Sequence, residues 1–139
     1  MKNILVGTFL VLVSLAFRAD ACESTILAIE NIGSSIDPYY QQATSDAADA
    51  IVALAESCKS EDVSVAAVSA LGKGIDPFYT HSSRNSIIAI VVSVRAHPSE
   101  RVKRAAIFSL NKCLDSYYGG IFRTCNKAIS FISRCEMNN

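Results

Sequence analysis

The residues in this sequence with the most distinctive chemistry are its cysteines. All five cysteines of the 139-residue chain lie after residue 21. They are Cys22, Cys58, Cys113, Cys125 and Cys135. In an oxidising compartment cysteines pair as disulfides, and an odd number leaves one without an internal partner. The sequence therefore predicts two disulfides and one further thiol.

Aromatic residues form a second set with binding chemistry, because they recur within one repeated phrase. Ile36-Asp37-Pro38-Tyr39-Tyr40 returns as Ile75-Asp76-Pro77-Phe78-Tyr79 and as Leu114-Asp115-Ser116-Tyr117-Tyr118. The phrase begins at positions 36, 75 and 114, so the spacing is constant, and we use the term repeat interval for it.

Tyrosine combines a large apolar area with a polar hydroxyl, a combination that protein interfaces favour. The sequence predicts a binding edge formed by six aromatic residues, Tyr39, Tyr40, Phe78, Tyr79, Tyr117 and Tyr118. The alternative is packing beneath the loops, and we expect one member of each pair to be buried and the other exposed.

The remaining polar residues predict neither an enzyme nor a metal or cofactor site. His81 and His97 have no second ligand at metal spacing and belong to no Ser–His–Asp or Cys–His set, so both are expected to be solvated. The glycines at 72, 74, 119 and 120 lack the context of a phosphate-binding loop. The basic run at 101–104 is expected to be a solvated face, and no nucleic acid is expected as a partner.

Residues 1–21 have the pattern of a secretory signal peptide. Lys2 supplies the positive start, the apolar run Ile4 to Phe17 follows, and Ala19-Asp20-Ala21 matches the cleavage pattern. The run is shorter than the roughly 20 residues of a membrane span. We therefore expect a secreted, extracellular or periplasmic protein with no stable membrane insertion after cleavage. The alternatives are an uncleaved anchor and a lipoprotein with Cys22 as the lipidated residue.

The repeat interval divides the domain 22–139 into three units, 22–60, 61–99 and 100–138, each predicted to form two helices. Ser60 and Ser99 are expected N-caps for the first helices of the second and third units. The second helices are predicted at about 45–58, 84–97 and 121–135, with 41–45, 80–83 and 119–120 as loops. The Ile- and Val-rich stretch 86–94 also suits a buried strand, which is the alternative to a helix there.

The packing pattern of the first helices resembles that of the HEAT-like repeat family. The residues that carry the resemblance are Val-x-x-Ala-Ala-x-x-x-Leu, found at 63–71 and 102–110, followed by Gly or Asn and an Asp-containing turn. The resemblance implies an α-solenoid that binds other proteins and is not an enzyme. The expected fold is therefore all-α, with three stacked helical hairpins preceded by the signal peptide.

This arrangement assigns partners to the cysteines. Cys22 opens the first helix of a hairpin and Cys58 closes its second, so we expect them to pair. Cys113 and Cys125 flank the tight turn at 119–120, so they are the second expected pair. Cys125 and Cys135 lie about 15 Å apart along one helix, too far to bridge. Cys135 is left as a buried thiol or as a site for an intermolecular disulfide.

The charge is unevenly distributed, although the whole chain is neutral. Residues 22–62 carry eight acids and one base, and residues 63–139 carry ten bases and four acids. Such asymmetry can orient a partner or favour head-to-tail contacts, and the alternative is two ordinary solvated faces.

These features together predict a protein-binding module with an unidentified protein partner. An inhibitor or immunity protein is one form that such a module can take. A homodimer could form through Cys135 or through the helix Ile87–Val94. The alternative function is an exported carrier of an apolar ligand or lipid.

Overall fold

The computed structural model describes residues 22–114 and 119–135 of the chain. The expected signal peptide (1–21) and two expected binding residues, Tyr117 and Tyr118, lie outside the described residues. The expected all-α class is confirmed, since the described residues form helices joined by turns and contain no strand.

The described residues form six α-helices. They are α1 (22–34), α2 (Gln41–Ser57), α3 (Glu61–Leu71), α4 (Thr80–Ala96), α5 (Glu100–Leu110) and α6 (Gly119–Arg134). Short 3₁₀ turns at Gly72–Gly74 and Asn111–Cys113 follow α3 and α5. The Ile- and Val-rich stretch 86–94 lies within α4, so the helical prediction for it is confirmed and the strand alternative is wrong.

Helices α3 and α5 begin at the serine N-caps that the sequence predicts. The Val63 N–H donates to the Ser60 hydroxyl at 3.2 Å, and the Val102 N–H donates to the Ser99 hydroxyl at 3.3 Å. Each bond satisfies one of the backbone donors that a helix leaves without an internal partner at its first turn. The two helices have the same length, and their bounds differ by one repeat interval.

Helices α2, α4 and α6 begin earlier than the sequence analysis predicts. The segments expected as loops, 41–45, 80–83 and 119–120, form their first turns. For α2 and α4 the physical reason is visible at Thr44 and Ser83, which were expected to lie in loops. The Thr44 hydroxyl donates to the Asp37 carbonyl at 2.7 Å, and the Ser83 hydroxyl donates to the Asp76 carbonyl at 2.6 Å. These polar side chains bind the preceding turn from inside a helix, so their polarity does not indicate a loop.

The described helices pack in two layers of neighbours. Helix α4 contacts both α2 and α6, and α3 contacts α5. Helix α3 also contacts α2 and α4, which joins the layers. The core between them consists of small and branched aliphatic side chains, of which the largest fully buried ones include Ile29, Ile51, Leu71, Ile90 and Leu110.

The close approach of α1 to α3, and of the turn after α3 to α5, depends on small residues at two equivalent positions. A Cβ placed on Gly33 would lie 2.7 Å from the Ala70 Cβ, and a Cβ placed on Gly72 would lie 2.7 Å from the Ser109 Cβ. Gly33 and Gly72 are one repeat interval apart, and so are Ala70 and Ser109. The same contact therefore occurs twice, at the interval found in the sequence.

Both expected cysteine pairs lie at disulfide distance. The Cα atoms of Cys22 and Cys58 are 5.7 Å apart, and those of Cys113 and Cys125 are 6.3 Å apart. The first pair joins the start of the described part of α1 to the residue after α2, and the second joins the 3₁₀ turn after α5 to α6. Cys135 is half-buried after the end of α6 and is in neither pair.

The glycine contact gives a matched pair of substitutions. We expect Gly72→Ala to lower the free energy of unfolding by about 1–3 kcal/mol, because the added methyl group overlaps Ser109. Gly120→Ala is the control, since Gly120 also lies in a helix but has no heavy atom within 4 Å of its added Cβ. At position 120 the better helix propensity of alanine should raise the free energy of unfolding by up to about 1 kcal/mol. Urea denaturation of both variants measures the difference, and equal effects would contradict the close packing.

The second disulfide predicts where another could be introduced. Gly74 and Ser86 lie one repeat interval before Cys113 and Cys125, and a Cβ on Gly74 would lie 3.3 Å from the Ser86 Cβ. That separation is near the roughly 3.5–4.5 Å of disulfides. We expect Gly74→Cys combined with Ser86→Cys to form a third bridge and to raise stability by about 2–3 kcal/mol. Thiol titration and a thermal melt with and without reductant check this, and two titratable thiols at these positions would contradict it.

Candidate functional site

The candidate site is the edge formed by two turns that precede α2 and α4. Each turn is built by one aspartate. The Asp37 carboxylate accepts from the Tyr39 N–H at 3.0 Å, and the Asp76 carboxylate accepts from the Phe78 N–H at 2.9 Å. An aspartate that binds the backbone two residues ahead fixes a tight turn.

The same aspartates do not act as N-caps of the helices that follow. The N-cap residues are Tyr40 and Tyr79, and neither makes a side-chain cap bond. Instead the Tyr40 N–H donates to the Asp37 carbonyl and the Tyr79 N–H donates to the Asp76 carbonyl, both at 3.0 Å. The aspartates therefore hold the turns, and the aromatic residues stand between turn and helix.

We use the term aromatic edge for Tyr39, Tyr40, Phe78 and Tyr79. Their exposed fractions are 64%, 60%, 73% and 39% in that order. The expectation that one member of each pair is buried is therefore wrong for both described pairs. The reason is that a small polar side chain of the following helix, rather than an aromatic ring, fills the space beneath each turn. Thr44 and Ser83 are both buried and bonded to their turns.

The two turns contact each other across the aromatic edge. The Tyr39 ring packs edge-to-face against Tyr40 at a centroid distance of 5.0 Å and against Tyr79 at 5.8 Å. Below the rings, the Ser82 hydroxyl donates to the Pro38 carbonyl at 2.7 Å. Aromatic pairs in this geometry attract each other. The rings of the two turns therefore form one continuous surface.

The third copy of the repeated phrase would place Tyr117 and Tyr118 at the same edge. Both residues lie outside the described part of the chain, so their place in the aromatic edge stays a prediction.

A second exposed apolar surface lies on α4, away from its buried face. Ile88 and Val92 are 55% and 39% exposed, whereas Ile87 is buried. Together with Val52 and Ala53 of α2, the two exposed residues line an open groove of about 380 Å³. The sequence analysis named α4 as a candidate surface, and the structure shows which of its residues remain uncovered.

An ion pair joins α3 to α5 at positions one repeat interval apart. The Arg101 guanidinium donates to the Asp62 carboxylate and lies 3.7 Å from the Glu61 carboxylate. The hydrogen bond to Asp62, with the attraction of its charge, raises the pKa of Arg101 above its ordinary value. All three side chains are exposed, so the pair adds little to stability. This pair was not predicted from the sequence, although the opposite charges at one repeat position could have indicated it.

The histidines provide no site. His81 is exposed, but His97 is half-buried and its Nδ1 atom is buried without a hydrogen-bond partner. The expectation that both are solvated is thus wrong for His97, whose place directly after α4 puts part of the ring against the protein. Among the described residues, no three His, Cys, Asp or Glu side chains are grouped so that they could hold a metal ion.

Comparison with known proteins identifies no relative: no protein-family model, no curated protein and no solved structure matches this chain. Within the residues that the structure describes, no helix is both long enough and apolar enough to cross a membrane.

The turn geometry predicts that the buried hydroxyls stabilise the fold and that the exposed aromatic rings contribute little to stability. Thr44→Val should lower the free energy of unfolding by about 1 kcal/mol, because the Asp37 carbonyl loses a buried donor. Tyr40→Ala should change it by less than about 0.5 kcal/mol, because the ring is exposed. Chemical denaturation of the two variants checks the contrast. A larger loss for Tyr40→Ala than for Thr44→Val would show that the aromatic edge is a folding element instead.

Proposed function

We propose that this protein is an exported protein-binding module that holds its partner through the aromatic edge. The observation that carries the proposal is the exposure of all four described aromatic side chains on two turns that contact each other. Exposed aromatic clusters mark interaction surfaces, because each ring buries a large apolar area on binding at a small cost in conformational entropy. The turns themselves are held by the buried hydroxyls of Thr44 and Ser83, not by these rings.

The module is built as three helical hairpins of the HEAT-like type. This assignment is supported by contacts that recur at the repeat interval, which include the turn bonds of Asp37 and Asp76 and the glycine contacts of Gly33 and Gly72. In such a stack each unit presents its turn at the same edge. Tyr117 and Tyr118 would then extend the aromatic edge by one unit.

A location outside the cytosol fits the cysteine pairs. Residues 1–21 have the signal-peptide pattern, and two cysteine pairs lie at disulfide distance. Pairing persists in oxidising compartments and is rare in the reducing cytosol. The partner is therefore another exported or extracellular protein, which leaves the inhibitor or immunity role as one form of this function.

The test is capture of the partner and then measurement of its affinity for variants. The protein is used as bait in the compartment it is exported to, with and without reductant, and the captured protein is purified. We expect Tyr39→Ala combined with Tyr79→Ala to weaken binding at least about 10-fold, the scale of an interface hot spot. Phe108→Ala is the matched control, because Phe108 is a similarly exposed ring on α5, and it should leave the affinity unchanged.

Two results would contradict the proposal. One is an affinity that the tyrosine variants do not alter. The other is the absence of any captured protein together with a lipid that stays bound in native mass spectra, which would favour the carrier function.

A further inference from the structure

The outer face of α2, α4 and α6 has an apolar centre that the described chain leaves uncovered. We use the term outer face for the exposed side of these three helices, with Ala53, Ile88, Val92 and Phe131 at its centre. Ile88 is 55% exposed, Val92 39% and Phe131 38%. Ala53, Val92 and Phe131 are successive positions at the repeat interval. Because α4 contacts α2 on one side and α6 on the other, these side chains form a strip across all three helices.

The two flanks of the outer face carry opposite charge. On α2 the exposed Asp49 and Glu56 line the groove beside Ile88. On α6 the exposed residues at the corresponding positions are Lys127 and Arg134. Helix α2 contains no base, and α6 contains no acid. The face is therefore acidic on one side and basic on the other, with the apolar strip between them.

Acids and bases lie at matching heights along the helices. Lys127 follows Asp49 by two repeat intervals, and Arg134 follows Glu56 by the same separation. Helices α2 and α4 have the same length with bounds one repeat interval apart. The Asn85 amide on α4 donates to the Ser45 hydroxyl on α2 at 3.4 Å, and Asn85 is one residue beyond the repeat position of Ser45, so the two helices are in register to within about one residue. Residues at one repeat position therefore lie at one height in neighbouring helices.

We propose that the outer face binds a second copy of this chain, related by a two-fold axis that runs along α4. Such an axis places α2 of one copy against α6 of the other without changing height. Asp49 of one copy then faces Lys127 of the other, and Glu56 faces Arg134. The small Ala53 faces the bulky Phe131, and Ile88 meets its own equivalent at the centre. A two-fold interface is self-complementary in this way.

The charges also select this axis over the alternative. An axis in the plane of the face but across the helices would set α2 against α2 and α6 against α6. Acids would then meet acids and bases would meet bases, which is unfavourable at close range. Only the axis along α4 pairs opposite charges on both flanks. The exposed Arg95 near the end of α4 stands at the same repeat position as Glu56, so an acid offsets its charge within each copy.

The size of the face predicts a reversible dimer. Each helix is about 25 Å long, and helices pack at intervals of about 9 Å. The outer face therefore covers roughly 600–700 Å² per copy, which is near the lower limit for a stable specific interface. The dimer should form with rising protein concentration and weaken with added salt, because the flanking pairs are exposed to solvent.

The test measures self-association by analytical ultracentrifugation of protein expressed from the full sequence. All variants also carry Cys135→Ser, so that no intermolecular disulfide through Cys135 can produce a dimer. We expect a concentration-dependent dimer, and we expect Ile88→Asp to raise its dissociation constant at least about 10-fold. Phe108→Asp is the control, because Phe108 is an exposed apolar residue on α5, outside the outer face, and it should have no effect.

A charge exchange provides a second test on exposed residues, where folding is not at risk. Asp49→Lys and Lys127→Asp should each weaken the dimer by about 3- to 10-fold, since each sets like charges against each other. The variant with both substitutions should dimerise more tightly than either single variant. A monomer at every concentration, equal effects of Ile88→Asp and Phe108→Asp, or no recovery in the combined variant would overturn the proposal.

Discussion

The close approach of α1 to α3 and of α3 to α5 is the constraint on which this structure is built, because it buries a core made of small side chains. Gly33 against Ala70 and Gly72 against Ser109 satisfy it, because neither contact leaves room for an added methyl group. A chain of this length has little apolar volume to bury, so the distance between helices decides how well that volume is filled. The third equivalent position is the exposed Asn111, where no described helix makes the same contact.

In the turns before α2 and α4, one set of residues stabilises the turn and another set forms the surface. Asp37 and Thr44 hold one turn from inside, and Asp76 and Ser83 hold the other. Since these polar groups satisfy the turn, the neighbouring aromatic rings are not needed to fill it. The rings are thereby free to form a surface, and the rigid turns fix its shape. A surface supported in this way loses little conformational entropy on binding.

The cysteine pairs act near the two ends of the described helical array. Cys22 and Cys58 tie the start of the described part of α1 to the end of α2, and Cys113 and Cys125 tie the turn after α5 to α6. One repeat interval before the second pair, Gly74 and Ser86 are already so close that a Cβ on the glycine would overlap the serine hydroxyl. The same backbone geometry is thus stabilised by close packing at Gly74 and Ser86 and by a disulfide at Cys113 and Cys125.

The features that could be read from the sequence depend on local chemistry and on the repeat interval. Serine N-caps, helical periodicity and the recurring phrase specified all-α structure, the starts of α3 and α5, and both cysteine pairs. These follow from backbone hydrogen bonding and from the positions of helix ends, which a linear pattern records. The predicted starts of α2 and α4 were wrong, because the hydroxyls of Thr44 and Ser83 bind turns that a linear pattern cannot place beside them. Which residues stay exposed could be learned from the packing of the helices alone, since burial depends on what a neighbouring helix covers. That packing left all four residues of the aromatic edge and Ile88 in solvent, and it brought Arg101 to Asp62 from one repeat interval away.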